Sequence, residues 1–247
     1  MSLKVIAVIP ARYEANRFPA KLMQDLCGKS VIVRTYEAAM ATNLFNQVIV
    51  ATDSSIIFKE ITDQGGMAVM SKKEHDCGSD RIAEAVENIE ADIIINVQGD
   101  EPFTNQADLK KLLEVFETDD DETIALASLM HELKEEKDIH NSNNVKVITD
   151  LSGNAIYFSR SPIPFNRATD VQVPVYKHIG IYAFRKAALI DFYNSSATPL
   201  ELKEKIECLR YLEHGKKISM VITDHASIGI DTPSDLDAAR EMWASNN

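Results

Sequence analysis

Between Pro10 and Lys21 the chain reads PARYEANRFPAK, which gathers the cations Arg12, Arg17 and Lys21 in one short stretch. Guanidinium and ammonium groups beside backbone N–H groups can hold a polyphosphate and neutralise the charge that develops as it is cleaved. The plain alternative for the same residues is a solvated loop. Two carboxylates stand at comparable punctuation further on, Asp100 in Gly99-Asp100-Glu101-Pro102 and Asp231 in Gly229-Ile230-Asp231-Thr232-Pro233. Magnesium prefers octahedral oxygen coordination from one or two carboxylates, water and substrate phosphates, so this pair is chemically adequate for it. Spacing alone leaves a second reading open, in which Asp100 closes a turn and Asp231 supports a helix cap at Thr232.

The elements that must position these groups can be read from periodicity. Leu3 to Ile9 is an apolar, β-branched run expected to form a buried parallel strand, and the cationic loop leaves its carboxyl end, where open α/β sheets bind ligands. Helices are expected at Val31 to Ala41 and Ser54 to Asp63, and strands at Gln47 to Ala51 and Met67 to Met70. A further helix is expected from Ser79, its N-cap, to Ile89, and Asp92 to Val97 reads as a second buried strand ending at Gln98-Gly99-Asp100. Two loops at strand ends therefore face one cleft in this reading. Further along come a helix at Gln106 to Phe116, a strand at Ile124 to Ser128, and a hairpin of Val145 to Thr149 and Ala155 to Phe158 around Leu151 to Asn154. Pro162, Pro164 and Pro174 punctuate an extended excursion, read as an arm or lid. The run His178 to Phe184, helices at Lys186 to Tyr193 and Leu200 to His214, and a strand at Lys216 to Thr223 follow. The last helix has Thr232 as N-cap, Pro233 in its first position and Asp235 three after the cap. Asp119 to Glu122 reads as a solvated acidic turn.

Composition narrows the class. A chain of 247 residues with 45% hydrophobic residues can bury a sizeable core, best suited to one large α/β domain. A formal net charge of −12 repels polyanions, and without a dense Lys/Arg run it argues against nucleic acid, while leaving room for a small anion in a locally cationic cleft. No apolar run approaches the roughly 20 residues of a membrane span, and the start lacks a secretory pattern, so a cytoplasmic location is expected. Cys27, Cys77 and Cys208 are far apart and fit reduced thiols. Gly28-Lys29-Ser30 resembles the end of a P-loop, but Met23 stands where the motif needs its first glycine. There is no GxGxxG, GxSxG or HExxH, which removes the main support for a dehydrogenase, serine hydrolase or zinc protease.

PARYEANRFPAK resembles the signature loop of the sugar-acid cytidylyltransferases. Within that group, HDCGSDRIAE (75–84), NVQGDEP (96–102), NNVKVI (143–148), YFSRSPIPF (157–165), KHIGIYAFR (177–185), KIECLR (205–210) and GIDTPSDL (229–236) resemble, in order, the motifs of the 3-deoxy-manno-octulosonate (Kdo) cytidylyltransferase, or CMP-Kdo synthetase, family. The resemblance covers nearly the whole chain.

It implies a three-layer α/β fold of the nucleotide-diphospho-sugar transferase type, with a mixed, mostly parallel sheet and helices on both faces. It implies a single domain over 1–247, a homodimer built partly through the excursion at about 159–178, and magnesium-dependent transfer of CMP from CTP to Kdo for lipopolysaccharide biosynthesis, with two Mg²⁺ ions as the implied load. By resemblance, Arg12, Arg17 and Lys21 hold the triphosphate, and Arg17, Lys21 and Asp100 are catalytic. Cys77, Gly78, Ser79 and Arg81 lie where the family reads cytosine and ribose, and Asp100 and Asp231 match its metal carboxylates. Gln98, Arg160, His178, Tyr182 and Glu207 match the sugar-binding positions, although Tyr182 could equally be ordinary core and Glu207 a solvated helix residue. Departures are Ala15-Asn16 and Ala20 in the loop, Cys77 and Ser79 in the nucleotide segment, and Cys208 where Gln is usual. The last leaves 8-amino-Kdo open as the acceptor; the rival readings are a cytidylyltransferase for sialic acid, disfavoured by QGDEP and YFSRSPIP, and a non-catalytic nucleotide-binding protein of the same fold, disfavoured by the presence of Arg17, Lys21, Asp100 and Asp231.

Overall fold

The computed structural model describes residues 3–14, 18–75, 77–168, 170–225 and 229–246. They form two compact units, Met1–Gln106 with Ser227–Asn247, and Ala107–Ala226.

The first unit begins with β1 (Val5–Ala11), α1 (Val31–Ala41), β2 (Gln47–Thr52), α2 (Ser55–Asp63), β3 (Ala68–Met70), α3 (Gly78–Val86) and β4 (Ile93–Asn96). Its strands run in the order β3-β2-β1-β4, all parallel. The central positions are closed to water: Ile6, Ile9, Ile49 and Ile93 to Ile95 are at most 1% exposed. Each such side chain contributes about 1.5–3 kcal/mol of burial free energy, which is why an uninterrupted apolar strand is placed here. The Ser54 hydroxyl caps α2 by accepting the Ile57 N–H at 3.5 Å. At Gly66 a methyl group would sit 2.8 Å from Ile61 Cγ2, so the turn from α2 to β3 admits no side chain there.

The second unit holds most of α4 (Gln106–Glu117), then β5 (Ile124–Leu133), α5 (Glu136–His140), β6 (Lys146–Thr149), β7 (Ala155–Ser159), β8 (Val175–Arg185), α6 (Lys186–Asn194), α7 (Pro199–Glu204), α8 (Cys208–Glu213) and β9 (Lys217–Ile222). β5 lies between β8, antiparallel, and β9, parallel; β6 pairs antiparallel with both β7 and β8. The fold is therefore a mixed, mostly parallel α/β arrangement. The β6–β7 turn takes Gly153 at φ 81°, and Asp150 accepts the backbone N–H groups of Ser152 and Asn154.

The chain then returns to the first unit with α9 (Pro233–Asn246). Its Trp243 ring receives the Arg34 guanidinium of α1 at 4.3 Å and lies 6.0 Å from the Phe103 ring.

Several expectations need correction. The helix expected over Leu200 to His214 is two helices, because Lys205 adopts a left-handed backbone (φ 55°) that no continuous helix accommodates. Ser79 is not the N-cap of α3; Cys77 occupies that position, and Ser79 is buried in the first turn. β5 runs five residues beyond Ser128 because Met130 to Leu133 pair with Val175 to His178, which also shortens the excursion to residues 160–174. Asp119 is not simply solvated. It accepts from the Arg185 guanidinium at 2.8 Å and from the Ile124 N–H, and these contacts overcome the upward push of burial and hold its pKa down to about 2. The short helix α5 had no periodic signal.

Candidate active site

Lys21 opens a single 3-10 turn, Lys21–Met23, entered through Ala20 in the left-handed region at φ 51°. Its ammonium donates to Asp100 Oδ2 and, at 3.0 Å, to Asp231 Oδ1. Burial works against the charged ammonium. The charge and hydrogen bond of Asp100, joined by those of Asp231, outweigh it, and the Lys21 pKa lies above its ordinary value.

Each partner of Lys21 is held by the backbone around it. Gly99 packs so that an added methyl would lie 3.1 Å from the Pro10 carbonyl oxygen, and the buried Thr35 hydroxyl of α1 contacts the Gly99 carbonyl at 2.9 Å. The Asp100 carbonyl accepts the Ile230 N–H at 2.9 Å, which ties the end of β4 to the segment entering α9. There Asp235 Oδ2 accepts from Thr232 N at 2.7 Å and Asp231 N at 3.0 Å, and Asp235 N donates back to the Thr232 hydroxyl at 3.3 Å. The well-specified start of α9 thus fixes where Asp231 stands.

The donor set suits a magnesium-type ion. Two carboxylates far apart in sequence meet one cation, the Lys21 ammonium. Among the described residues no cluster of three or more His, Cys, Asp or Glu is arranged to hold a metal. The protein therefore offers two carboxylate arms, and the rest of an octahedral shell would fall to phosphate oxygens and water.

The segment assigned to the nucleotide lies close by. A methyl group added at Gly78, the first residue of α3, would meet Pro10 Cγ at 3.6 Å, so the amino end of α3 abuts the end of β1. Cys77 is partly exposed, Ser79 is buried, and Arg12 is exposed just after β1. Arg81 is buried and pairs with Asp53 after β2, and its Nε has no hydrogen-bond partner among the described residues. Arg17 lies outside the described residues. Asp53 was missed in the sequence, although a carboxylate following the buried strand VIVAT is the same signal that marked Asp100. His75, buried against Glu84 of α3, anchors the chain before Cys77.

Gln98 is half-buried after β4 in the first unit, and the other sugar-site candidates are in the second. His178 and Tyr182 of β8 share a face, with ring centroids 5.4 Å apart, and Phe158 of β7 meets His178 edge-on at 5.0 Å. Burial, helped by the Lys177 charge, holds the His178 pKa down to about 4, and burial beside Cys208 and Glu207 drives the Tyr182 phenol well above its ordinary value. Cys208 opens α8 against these rings. Its Sγ is 4.0 Å from His178 Nε2 and is hydrogen-bonded to Tyr182, and burial raises the thiol to about 12. Glu207 is the preceding residue, half-buried at the N-cap of α8. Arg160 follows β7, and its guanidinium donates to the carbonyls of Glu204 (2.7 Å), Ser142 (3.0 Å) and Lys205 (3.3 Å). The break between α7 and α8 supplies two of these acceptors. Lys146 is fully buried nearby, its ammonium held by the carbonyls of Asn141, Asn144 and Arg160.

Comparison with known proteins is consistent along the chain. Residues 6–218 match the family described as cytidylyltransferase. The 3-deoxy-manno-octulosonate cytidylyltransferase of Christiangramia forsetii is 61% identical over 239 residues, covering 97% of this chain and 96% of that protein. The protein of the same name from Flavobacterium johnsoniae is 60% identical, covering 97% and 98%. Among solved structures, a CMP:2-keto-3-deoxy-manno-octonic acid synthetase complexed with CTP superposes with a TM-score of 0.92 at 35% identity, covering 99% of this chain and 100% of that one. A 4-diphosphocytidyl-2C-methyl-D-erythritol synthase from Anaerococcus prevotii shares the fold at a TM-score of 0.65 and 16% identity. The phosphate-type loop, the paired carboxylates and these likenesses agree: the chain belongs to the cytidylyltransferase family, among the 3-deoxy-manno-octulosonate cytidylyltransferases.

Proposed function

We propose that this protein transfers CMP from CTP to the anomeric hydroxyl of Kdo, releasing pyrophosphate and supplying CMP-Kdo for lipopolysaccharide biosynthesis in the cytoplasm. The observation that carries this reading is the convergence of Lys21, Asp100 and Asp231, a cation and two carboxylates beside a loop rich in further cations.

In the proposed reaction Arg12, Arg17 and Lys21 hold the triphosphate, and Lys21 meets the charge that grows on the α-phosphate as pyrophosphate leaves. Asp100 and Asp231 hold Mg²⁺, with a load of two ions. When bound, the metal supplies Lewis-acid polarisation of the phosphate and lowers the pKa of the attacking hydroxyl. Cys77, Gly78, Ser79 and Arg81 bind the nucleoside, the unpartnered Nε of Arg81 supporting a donor role there. Gln98, Arg160, His178, Tyr182 and Glu207 orient the sugar acid so that its hydroxyl attacks in line. Residues 1–247 act as one catalytic domain in this reading. A homodimer forms partly through residues 160–174, where exposed Phe165, Val171 and Val173 give a second copy apolar surface to cover.

Pyrophosphate release with CTP, Mg²⁺ and each sugar acid tests the proposal. Release with Kdo is expected. Release only with sialic acid or with 8-amino-Kdo would move the acceptor, the latter being the reading that Cys208 beside His178 and Tyr182 keeps specific. Silence with every acceptor would leave a nucleotide-binding protein without catalysis.

A further inference from the structure

β8 carries an irregularity opposite β5: Ser128 pairs with Tyr182, but the next residue, Leu129, pairs with Ile179. The bulge turns two carbonyls of β8 onto one buried hydroxyl. Ser128 Oγ lies 3.0 Å from the Ile179 oxygen, 2.9 Å from the Ile181 oxygen and 3.0 Å from His178 Nε2. A serine hydroxyl has one proton and two lone pairs, whereas carbonyl oxygens only accept. If that proton went to the imidazole, both carbonyls would face an oxygen lone pair around a fully buried hydroxyl, a costly arrangement. Given instead to a carbonyl, the proton leaves the hydroxyl oxygen as acceptor for an N–H of the ring.

We propose that Ser128 is a positioning residue: it holds His178 as the neutral Nε2–H tautomer, so that Nδ1 is presented as a lone-pair acceptor for a hydroxyl of the sugar acid. This rests on the reading that His178 faces the sugar. Burial favours the neutral ring, and Phe158 and Tyr182 fix its plane. Among the described residues Nδ1 has no hydrogen-bond partner. A lone pair repels a carboxylate, so His178 selects a hydroxyl proton, and the acid group of the substrate is met elsewhere.

Nitrogen-15 NMR of the substrate-free protein above neutral pH, with the His178 signals assigned by their loss in His178→Gln, reads the tautomer directly. A protonated Nε2 and an unprotonated Nδ1 are expected; the opposite pattern overturns the proposal. In Ser128→Ala the ring should populate the other tautomer, and KM for Kdo should rise about tenfold, the worth of one hydrogen bond, with KM for CTP unchanged. Ser128→Thr, which keeps the hydroxyl, should restore both. A shifted tautomer with an unaltered KM for Kdo would refute the acceptor role. Failure of the wild-type protein to turn over Kdo would instead count against the proposed function, because the tautomer is read without substrate.

Discussion

The Nζ of Lys21 and Oδ1 of Asp231 stand 3.0 Å apart although 210 positions separate the two residues in the chain. Asp100, in the loop after β4, closes on the same ammonium, and no local rule of helix or strand geometry brings three such residues together. Removing one carboxylate should therefore disable chemistry and spare the fold. In Asp100→Asn or Asp231→Asn, turnover should fall on the order of 10²–10³-fold. The thermal midpoint should barely move, because partly exposed ion pairs contribute about 1 kcal/mol or less. Pyrophosphate release and circular-dichroism melts check the two halves, and wild-type turnover in either variant would refute the metal assignment.

Gly99 tests how closely the loop before Asp100 must pack. A branched side chain there would press on the Pro10 carbonyl at 3.1 Å, Ile32 Cδ1 at 3.3 Å and Leu22 Cδ1 at 3.4 Å. Gly99→Val should cost about 1–3 kcal/mol of stability through overpacking. It should also lower turnover by displacing the neighbouring carboxylate. Urea denaturation with parallel activity measurements would show both effects; a fully active, fully stable Gly99→Val contradicts this account of the loop.

Arg210 and Glu201 form a two-pronged ion pair, with Arg210 Nε 2.7 Å from Oε2 and Nη2 2.6 Å from Oε1, and both residues are buried. Arg210 also covers the Phe192 ring at 3.8 Å. Arg210→Met strands the carboxylate and should destabilise the protein by about 3–5 kcal/mol. The double variant with Glu201→Met should recover much of that loss, which denaturant midpoints would reveal.

His178 predicts an acid slope in stability. Its folded pKa, about 4, lies below the ordinary 6.5, so between those values the unfolded chain binds a proton that the folded protein refuses. Stability is whole above pH 6.5 and is lost progressively as pH falls towards 4, by about 3 kcal/mol for a shift of this size. His178→Gln should flatten that part of the curve. An unchanged slope in denaturation measured across this range would show that the ring is not buried neutral.

Much of this architecture was legible beforehand. Buried parallel strands declare themselves as apolar runs, and β1 and β4 did so; Thr232, Pro233 and Asp235 named the start of α9 because each type serves one position of a helix end. The break at Lys205 was hidden, since a left-handed residue without a glycine leaves no local trace. The reach of β5 was hidden too: His131 and Glu132 look like loop residues, and only the partner β8 makes them strand. Residue types exposed Lys21, Asp100 and Asp231 one by one. Their meeting depends on contacts across the whole sequence, which the family motifs supplied and periodicity could not.

The first unit is split along the chain, its last portion arriving only after all of Ala107–Ala226 has been made. Asp231 and the Ile230 N–H that grips the Asp100 carbonyl belong to that late portion. A growing chain on the ribosome therefore carries Lys21 and Asp100 long before the second carboxylate that meets the Lys21 ammonium has been made. The order of the segments alone defers the meeting of Lys21 with both carboxylates until the whole second unit has been made.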